Sequence, residues 1–390
     1  MAELSRRLVA EHGAEVTVST TTALSTADFR HPGAPQLAHG ESWEDGVLVR
    51  RHRVVKRVGA HLHRIQAGAY RRRLPGSGLL RTLYEGPLSP GMARDAARIP
   101  ADVVAATAFP LAHMHLAVLA ARLRGIPVVL FGALHPEDAW GFDRAVIRRA
   151  IRSATAYAAY TQYEADYVLS LGVAPERVHV VPPGVDAAAF APAGREARSS
   201  SEPVVGFFGQ MTAHKGLLDL IAAMQVVWES VPGARLVIAG ARRAGTEAVD
   251  DAVAALPERL RERVRVETDV PEARKAELFA SFDVFASPSA FESFGITFLE
   301  AWAAGLSIVA CRVGAVPSVV QDGVNGLLVA PGAPLELAAA LTRLLADPAE
   351  RARLGAHGLA TVVDHHAWTA VGAQVAGLYV SLAGAATAGG

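Results

Sequence analysis

S-P-S-A-F-E-S-F-G-I-T-F-L-E-A-W-A-A-G, residues 287–305, begins as a turn rich in Ser and Pro and finishes as an apolar helix. The apolar run Phe282 to Ala286 before it has the length and composition of a buried strand. The helix is predicted to begin near Gly295, and two carboxylates flank that start. Glu292 sits in the turn, while Glu300 lies inside the helix among Phe298, Leu299, Trp302 and Ala303. A carboxylate on so apolar a helix is costly to bury unless something hydrogen-bonds it, and a bound polyol would do so. The first N–H groups of a helix lack internal partners and carry the positive end of its dipole, which attracts phosphate. Gly295, without a Cβ, lets a ligand approach that backbone closely. The plainer alternative makes Glu300 a surface helix residue and Glu292 a loop charge, and these residues alone leave both open.

Working outward, the stretch resembles the E-x7-E signature of the retaining glycosyltransferases of family 4. The likeness continues through A-W-A-A-G-L-S-I-V-A (301–310), V-G-A-V-P-S-V-V (313–320) and D-G-V-N-G-L-L-V-A-P-G (322–332). It covers residues 203–380 and, less clearly, 1–190. The resemblance implies an α/β chain of GT-B fold, with two Rossmann-like domains facing a central cleft. The expected divisions are an acceptor-side domain at 1–193, a linker at 194–203, a nucleotide-sugar domain at 204–364, and at 365–390 a terminal helix and tail, the helix either crossing back to the first domain, as in relatives, or packing within the second.

Composition agrees with two domains, since 390 residues, 51% of them apolar, can bury two cores. A formal net charge of zero gives no general attraction to nucleic acid. The single cysteine, Cys311, excludes an internal disulfide and fits a reducing, cytoplasmic setting. Ending an apolar strand, it reads as a packed thiol. The N-terminus lacks a signal-peptide layout. Val103 to Ala121 has the length of a membrane span, but Pro110, His113 and His115 interrupt it. It parses better as strand, turn and helix, so no transmembrane segment is expected.

Met1 to Glu11 reads as a helix closed by His12-Gly13, followed by a strand at Glu15 to Ser19. Family 4 normally places a strand and a Gly-rich turn before this helix. Their absence predicts a gap in the first sheet and a natural start upstream of Met1. Residues 20–45 read as loop, with a strand at Val47 to Arg50. From Arg50 to Arg81 ten basic residues occur with no Asp or Glu between them. The run is either a solvated face or a peripheral contact with an anionic membrane surface. Strands then alternate with helices to Val181, which implies a parallel sheet. His135 follows the strand Ile126 to Phe131, at the strand end where open α/β sheets bind ligands. A loop histidine bonded to backbone is the alternative; His113 and His115 read as helix residues beside the core.

In the second half, strand Val204 to Phe208 runs into G-Q-M-T-A-H-K-G, residues 209–216, and the helix Leu217 to Trp228. The family commonly has G-R-L-x-x-x-K-G there, so Gly209 and Lys215 match, while Gln210 puts a neutral group where Arg gives a charge-assisted contact. Ser318 stands where many relatives have Glu, and Ala315 where they have Gly. Residues 264–270 should lie near the nucleotide base.

The resemblance implies a nucleotide-diphosphate sugar as donor and a sugar, lipid-linked or small-molecule acceptor. Glu300 would accept hydrogen bonds from the ribose and Glu292 from sugar hydroxyls. Lys215 and the amides of Phe294, Gly295 and Ile296 would stabilise the leaving diphosphate, with no metal or other cofactor required. His135 would stand near the reacting acceptor hydroxyl. Rival classes lack their signatures: no strand runs into G-x-G-x-x-G, Gly209 to Gly216 has the wrong spacing for a P-loop, and G-x-S-x-G is absent. A nucleotide-sugar-binding protein with weakened or no catalysis, and a sugar-nucleotide epimerase, remain as alternatives.

Overall fold

The computed structural model of the chain describes every residue except 30–32, 57–58, 73, 139–140, 192–201, 244 and 389–390. Two compact units result: Met1–Pro182 together with Trp368–Gly390, and Pro183–Ala367. The boundary therefore falls at Pro182 and not at residue 193. The reason is local to the second unit, where Val185 N–H donates to His366 O at 2.8 Å and Phe190 packs edge-on against Phe279. Most of the expected linker, its residues 194–201, lies outside the described residues.

The first unit contains β1 (Thr17–Thr21), β2 (Gly40–Glu44), β3 (Val47–His52), β4 (Val104–Thr107), β5 (Val128–Phe131), β6 (Ala156–Ala159) and β7 (Val178–Val180). They form two sheets among the described residues, β1-β3-β2 and the all-parallel β4-β5-β6-β7. β1 and β4 are each a sheet edge, so the strands are divided where a gap was expected. β5 shows why a continuous apolar run makes a central strand. Val128 and Leu130 face the core shared with helices Ala112–Leu123 and Ala145–Ser153, and Val129 and Phe131 face the opposite core. That opposite core is closed by Leu4 and Leu8 of helix Ala2–His12 and by Val371, Val375 and Leu378 of helix Trp368–Ala388. The last helix thus belongs to the first unit, and Gln374 Nε2 donates to Val180 O at 2.7 Å. Val103 to Ala121 resolves into β4 and the following helix. Among the described residues one helix is long and apolar enough by composition to cross a membrane, over Trp368–Ala386 with mean hydropathy 1.3, where no such segment was expected.

β2 corrects the reading of 20–45 as loop. G-E-S-W-E carries little apolar pattern because it is an outer strand, held by Arg51 to Glu44 at 2.6 Å and by Arg50 to Glu41 at 3.2 Å. Its signal was the dipeptide Asp45-Gly46, whose φ values of 49° and 80° make the two-residue turn of a hairpin.

The second unit is a six-stranded parallel sheet: β8 (Val204–Phe208), β9 (Arg235–Gly240), β10 (Val264–Thr268), β11 (Val284–Ser287), β12 (Ser307–Cys311) and β13 (Leu327–Val329). The order β10-β9-β8-β11-β12-β13 places β8 and β11 side by side at the centre. From β8 the chain steps outward one way, and from β11 the other. This reversal leaves a crevice beyond the carboxyl ends of the central pair. Cys311 is buried in the core, and burial pushes its thiol up to about 11, which makes it a packed residue.

Candidate functional site

The loops leaving β8 and β11 meet at that crevice. Ala290 N–H donates to His214 O at 2.8 Å, and Gly216, at φ 69°, lies so close to Pro288 that an added Cβ would stand 2.0 Å from its carbonyl oxygen. Gly216 therefore serves both a left-handed turn and the close approach of the two loops. This packing sets Lys215 against Glu292, with Nζ to Oε2 at 2.7 Å. A cation and a carboxylate from two different strand ends are brought together where the sheet order reverses. Gly209 N–H is held by Ala239 O at 3.0 Å, and Gln210 is exposed beside it.

Gly295 precedes the helix Ile296–Ala303 with φ 87°, and its carbonyl accepts the Phe298 N–H at 2.8 Å. Phe294 is buried edge-on against the His366 ring at 5.6 Å, whereas Ile296 is exposed. The start of this helix leaves N–H groups able to accept an anion. Ser289 is 2% exposed, and its Oγ has no hydrogen-bond partner among the described residues. It adds an unsatisfied hydroxyl to the same loop.

Glu300 is 7% exposed, and the partner its burial demands is a protein group: Lys275 Nζ reaches Oε1 at 2.8 Å. Lys275 also bonds Glu272 at 2.8 Å and lies 5.4 Å over the Phe208 ring. Burial pushes the Glu300 carboxyl up and the Glu272 charge adds to this, against the pull of the Lys275 hydrogen bond and charge, and the net shift is upward. Burial alone would lower the Lys275 ammonium, but its bonds to Glu272 and Glu300 outweigh it, and the net shift is upward. Lys275 was absent from the sequence reading. Nothing local marks it, because helix Lys275–Ala280 and helix Ile296–Ala303 meet only through the tertiary fold.

His135 lies in the first unit, in the loop after β5, with its ring edge-on to Phe142 at 5.0 Å. Glu164 holds this loop. It is 2% exposed and accepts from Leu134 N–H at 2.9 Å, Tyr160 N–H at 2.8 Å and the Tyr157 hydroxyl at 2.7 Å. Burial pushes its carboxyl up, against those hydrogen bonds. Thr161 caps the helix Gln162–Ser170 and accepts from Glu164 N–H, so the T-x-x-E spacing could have placed Glu164 at a helix start. Its reach to Leu134 had no sequence signal. His113 and His115 sit in a helix, as expected, with His113 Nε2 on Thr107 O at 2.7 Å. In the basic run, Arg50, Arg51 and Arg81 pair with acids, while Arg64, Arg71 and Arg72 are exposed near the exposed Ile65, Leu74, Leu79 and Leu83. Among the described residues no group of three His, Cys, Asp or Glu stands together in a way that could hold a metal ion.

Comparison with known proteins gives two family matches, Glycosyltransferase Family 4 over residues 1–189 and Glycosyl transferases group 1 over residues 202–347. The chain is 32% identical over 291 residues to the alpha-maltose-1-phosphate synthase of Mycolicibacterium smegmatis, covering 67% of this chain and 74% of that protein. It is 36% identical over 211 residues to the D-inositol 3-phosphate glycosyltransferase of Segniliparus rotundus, covering 52% of this chain but only 47% of that relative's length. Among solved structures, HepE of Anabaena in complex with UDP superposes with a TM-score of 0.66 at 17% identity, over 94% of this chain and 100% of that one.

Proposed function

Because the chain belongs to glycosyltransferase family 4 and has its GT-B fold, we propose that it transfers a glycosyl group from a nucleoside diphosphate sugar to a hydroxyl acceptor, with retention at the anomeric carbon. The observation that carries this reading is the Lys215–Glu292 pair at the carboxyl ends of β8 and β11, beside the helix start at Gly295. The bond from the anomeric carbon to the diphosphate oxygen breaks, a bond to the acceptor oxygen forms, and the departing diphosphate oxygen takes up the proton that the acceptor hydroxyl loses. Lys215 and the amides of Phe294, Gly295 and Ile296 take up charge on the departing diphosphate, aimed there before the reaction begins. Glu292 accepts hydrogen bonds from the sugar, and Glu300 from the ribose. No metal or cofactor is assigned a role. The acceptor falls to the first unit, whose strand-end loop carries His135.

Relatives named for inositol phosphate and maltose 1-phosphate, and a structural neighbour solved with UDP, support a uridine-type nucleotide and a polyol or sugar acceptor. A second reading, nucleotide-sugar binding with little transfer, is favoured by one observation: Gln210 leaves the diphosphate without a second cation on that loop. Mass spectrometry of a donor panel, each donor incubated with mixed sugar and polyol acceptors, tests the proposal. Glycosylated product is expected. Tight UDP binding with neither transfer nor donor hydrolysis would establish the second reading instead. Peripheral contact with an anionic cytoplasmic membrane face belongs to the same proposal, supported by Arg64, Arg71 and Arg72 beside exposed Ile65 and Leu79. Co-sedimentation with vesicles containing phosphatidylglycerol, but not with neutral ones, is the expected result.

A further inference from the structure

The loop after β9 carries two guanidinium groups, Arg242 and Arg243, at the strand ends of the second unit. β9 runs parallel to β8 on the side away from β11, so this loop and the loop 209–216 leave the same edge of the sheet. Backbone contacts hold the two loops together. Gly240 lies so close to the Gly209 carbonyl that no Cβ could fit between them. Met211 N–H donates to Ala241 O at 2.9 Å, and the buried Thr246 hydroxyl donates to Met211 O at 2.9 Å. Met211 and Arg242 form a parallel bridge, which sets their backbones about 4.8 Å apart. Gln210, just before that bridge, and Arg243, just after it, are both exposed.

Little positive charge is left uncommitted here. Lys215 is engaged by Glu292 at 2.7 Å, and Gln210 is neutral. His214, on the same loop, is held below its ordinary value by burial and then by Lys215, against the opposing pull of Glu292, so it brings no positive charge at neutral pH. Arg242 is engaged by Asp250. Arg243 donates from Nη1 to Arg242 O at 2.8 Å and, among the described residues, pairs with no carboxylate. A guanidinium keeps its charge at every working pH and presents its remaining N–H donors in one plane. A diphosphate carries more negative charge than Lys215 offsets by itself, and the excess grows as the sugar departs.

We propose that Arg243 is a donor-binding residue, whose guanidinium reaches the diphosphate from the loop after β9 and supplies the second cation that Gln210 withholds. This rests on the glycosyltransferase reading, in which Lys215 and the helix start at Gly295 hold the diphosphate. The charge missing from one strand end is recovered from the neighbouring one, and it favours a nucleoside diphosphate over the corresponding monophosphate.

The test is calorimetry on the full chain titrated with UDP, UMP and inorganic pyrophosphate. R243Q should bind UDP and pyrophosphate at least about tenfold more weakly than the native chain. UMP should be affected less, so the native preference for UDP over UMP shrinks. R243E should be weaker still, whereas R242Q, which removes a guanidinium already paired with Asp250, should bind UDP as the native chain does. Adding Q210R to R243Q should restore UDP affinity, a recovery that a merely structural role of Arg243 would not allow. Native-like binding of UDP and pyrophosphate by R243Q, or an equal loss in R242Q, overturns the assignment. Failure of the native chain to bind any of UDP, GDP and ADP counts against the donor reading instead. The pyrophosphate difference between native chain and R243Q still decides the role of Arg243 in that case.

Discussion

Replacing Lys275 by Met should turn Glu300 from a paired carboxylate into a stranded one. Both side chains are nearly enclosed, with side-chain exposures of 13% and 10%. Removing one member of such a pair costs about 3–5 kcal/mol, because the remaining charge keeps its burial and loses its partner. The cost should depend on pH, with a sign that follows from the shifts. The folded Glu300 carboxyl is already raised by burial, so the native state holds that proton more tightly than the unfolded chain does. Its ionisation therefore lowers stability as pH rises from the ordinary carboxylate range through the raised folded value. Without Lys275 the folded value rises further and this window widens. The destabilisation of K275M should be largest at pH 8 and shrink on acidification, by up to about 1.4 kcal/mol per pH unit inside the window. Lys275 itself behaves oppositely: its raised folded value gives stability that is complete below the ordinary lysine range and is lost as pH rises through that folded value. Urea unfolding from pH 5 to 8, followed by fluorescence with the fully buried Trp302 as a reporter on the same helix, measures the difference. The double variant K275M/E300Q should recover most of the loss, since it removes the stranded charge. A K275M midpoint equal to the native one at pH 8, or a deficit independent of pH, would refute the reasoning. On the proposed role of Glu300, UDP binding by K275M should also strengthen as pH rises and the carboxylate reforms.

Glu164→Ala leaves the Leu134 N–H, the Tyr160 N–H and the Tyr157 hydroxyl without their acceptor, and should destabilise the first unit by about 3 kcal/mol or more. Hydrogen exchange at Leu134 should rise in the same variant, because that amide loses its buried partner. Glu292→Gln should leave the chain folded and reduce turnover sharply, and a folded variant with native activity would remove Glu292 from the mechanism. Lys215→Ala should chiefly weaken donor binding and slow leaving-group departure; an unchanged rate at low donor concentration would contradict its assignment.

Periodicity and turn chemistry were enough to place most of the strands and to single out Glu292, Gly295 and Glu300, because these signals are local: apolar runs, a Gly before a helix, a charge in a turn; Lys215 came from the family resemblance. The hairpin strand β2 escaped, since an outer strand stabilised by cross-strand ion pairs carries no apolar alternation. Who meets whom was beyond the sequence. The bond between Lys215 and Glu292 exists because β8 and β11, far apart in the chain, lie adjacent in the sheet. Glu300 was expected to need a hydrogen-bonding partner, and only the packing of one helix on another made that partner Lys275. Arg144 reads as one more charge at a helix start, and its burial against the Thr82 hydroxyl, far away in the chain, is a tertiary feature. Local sequence determines which segments form and which chemical groups they carry. Pairing and burial of those groups are long-range properties, set when strand order and helix packing bring distant residues together and exclude water from them.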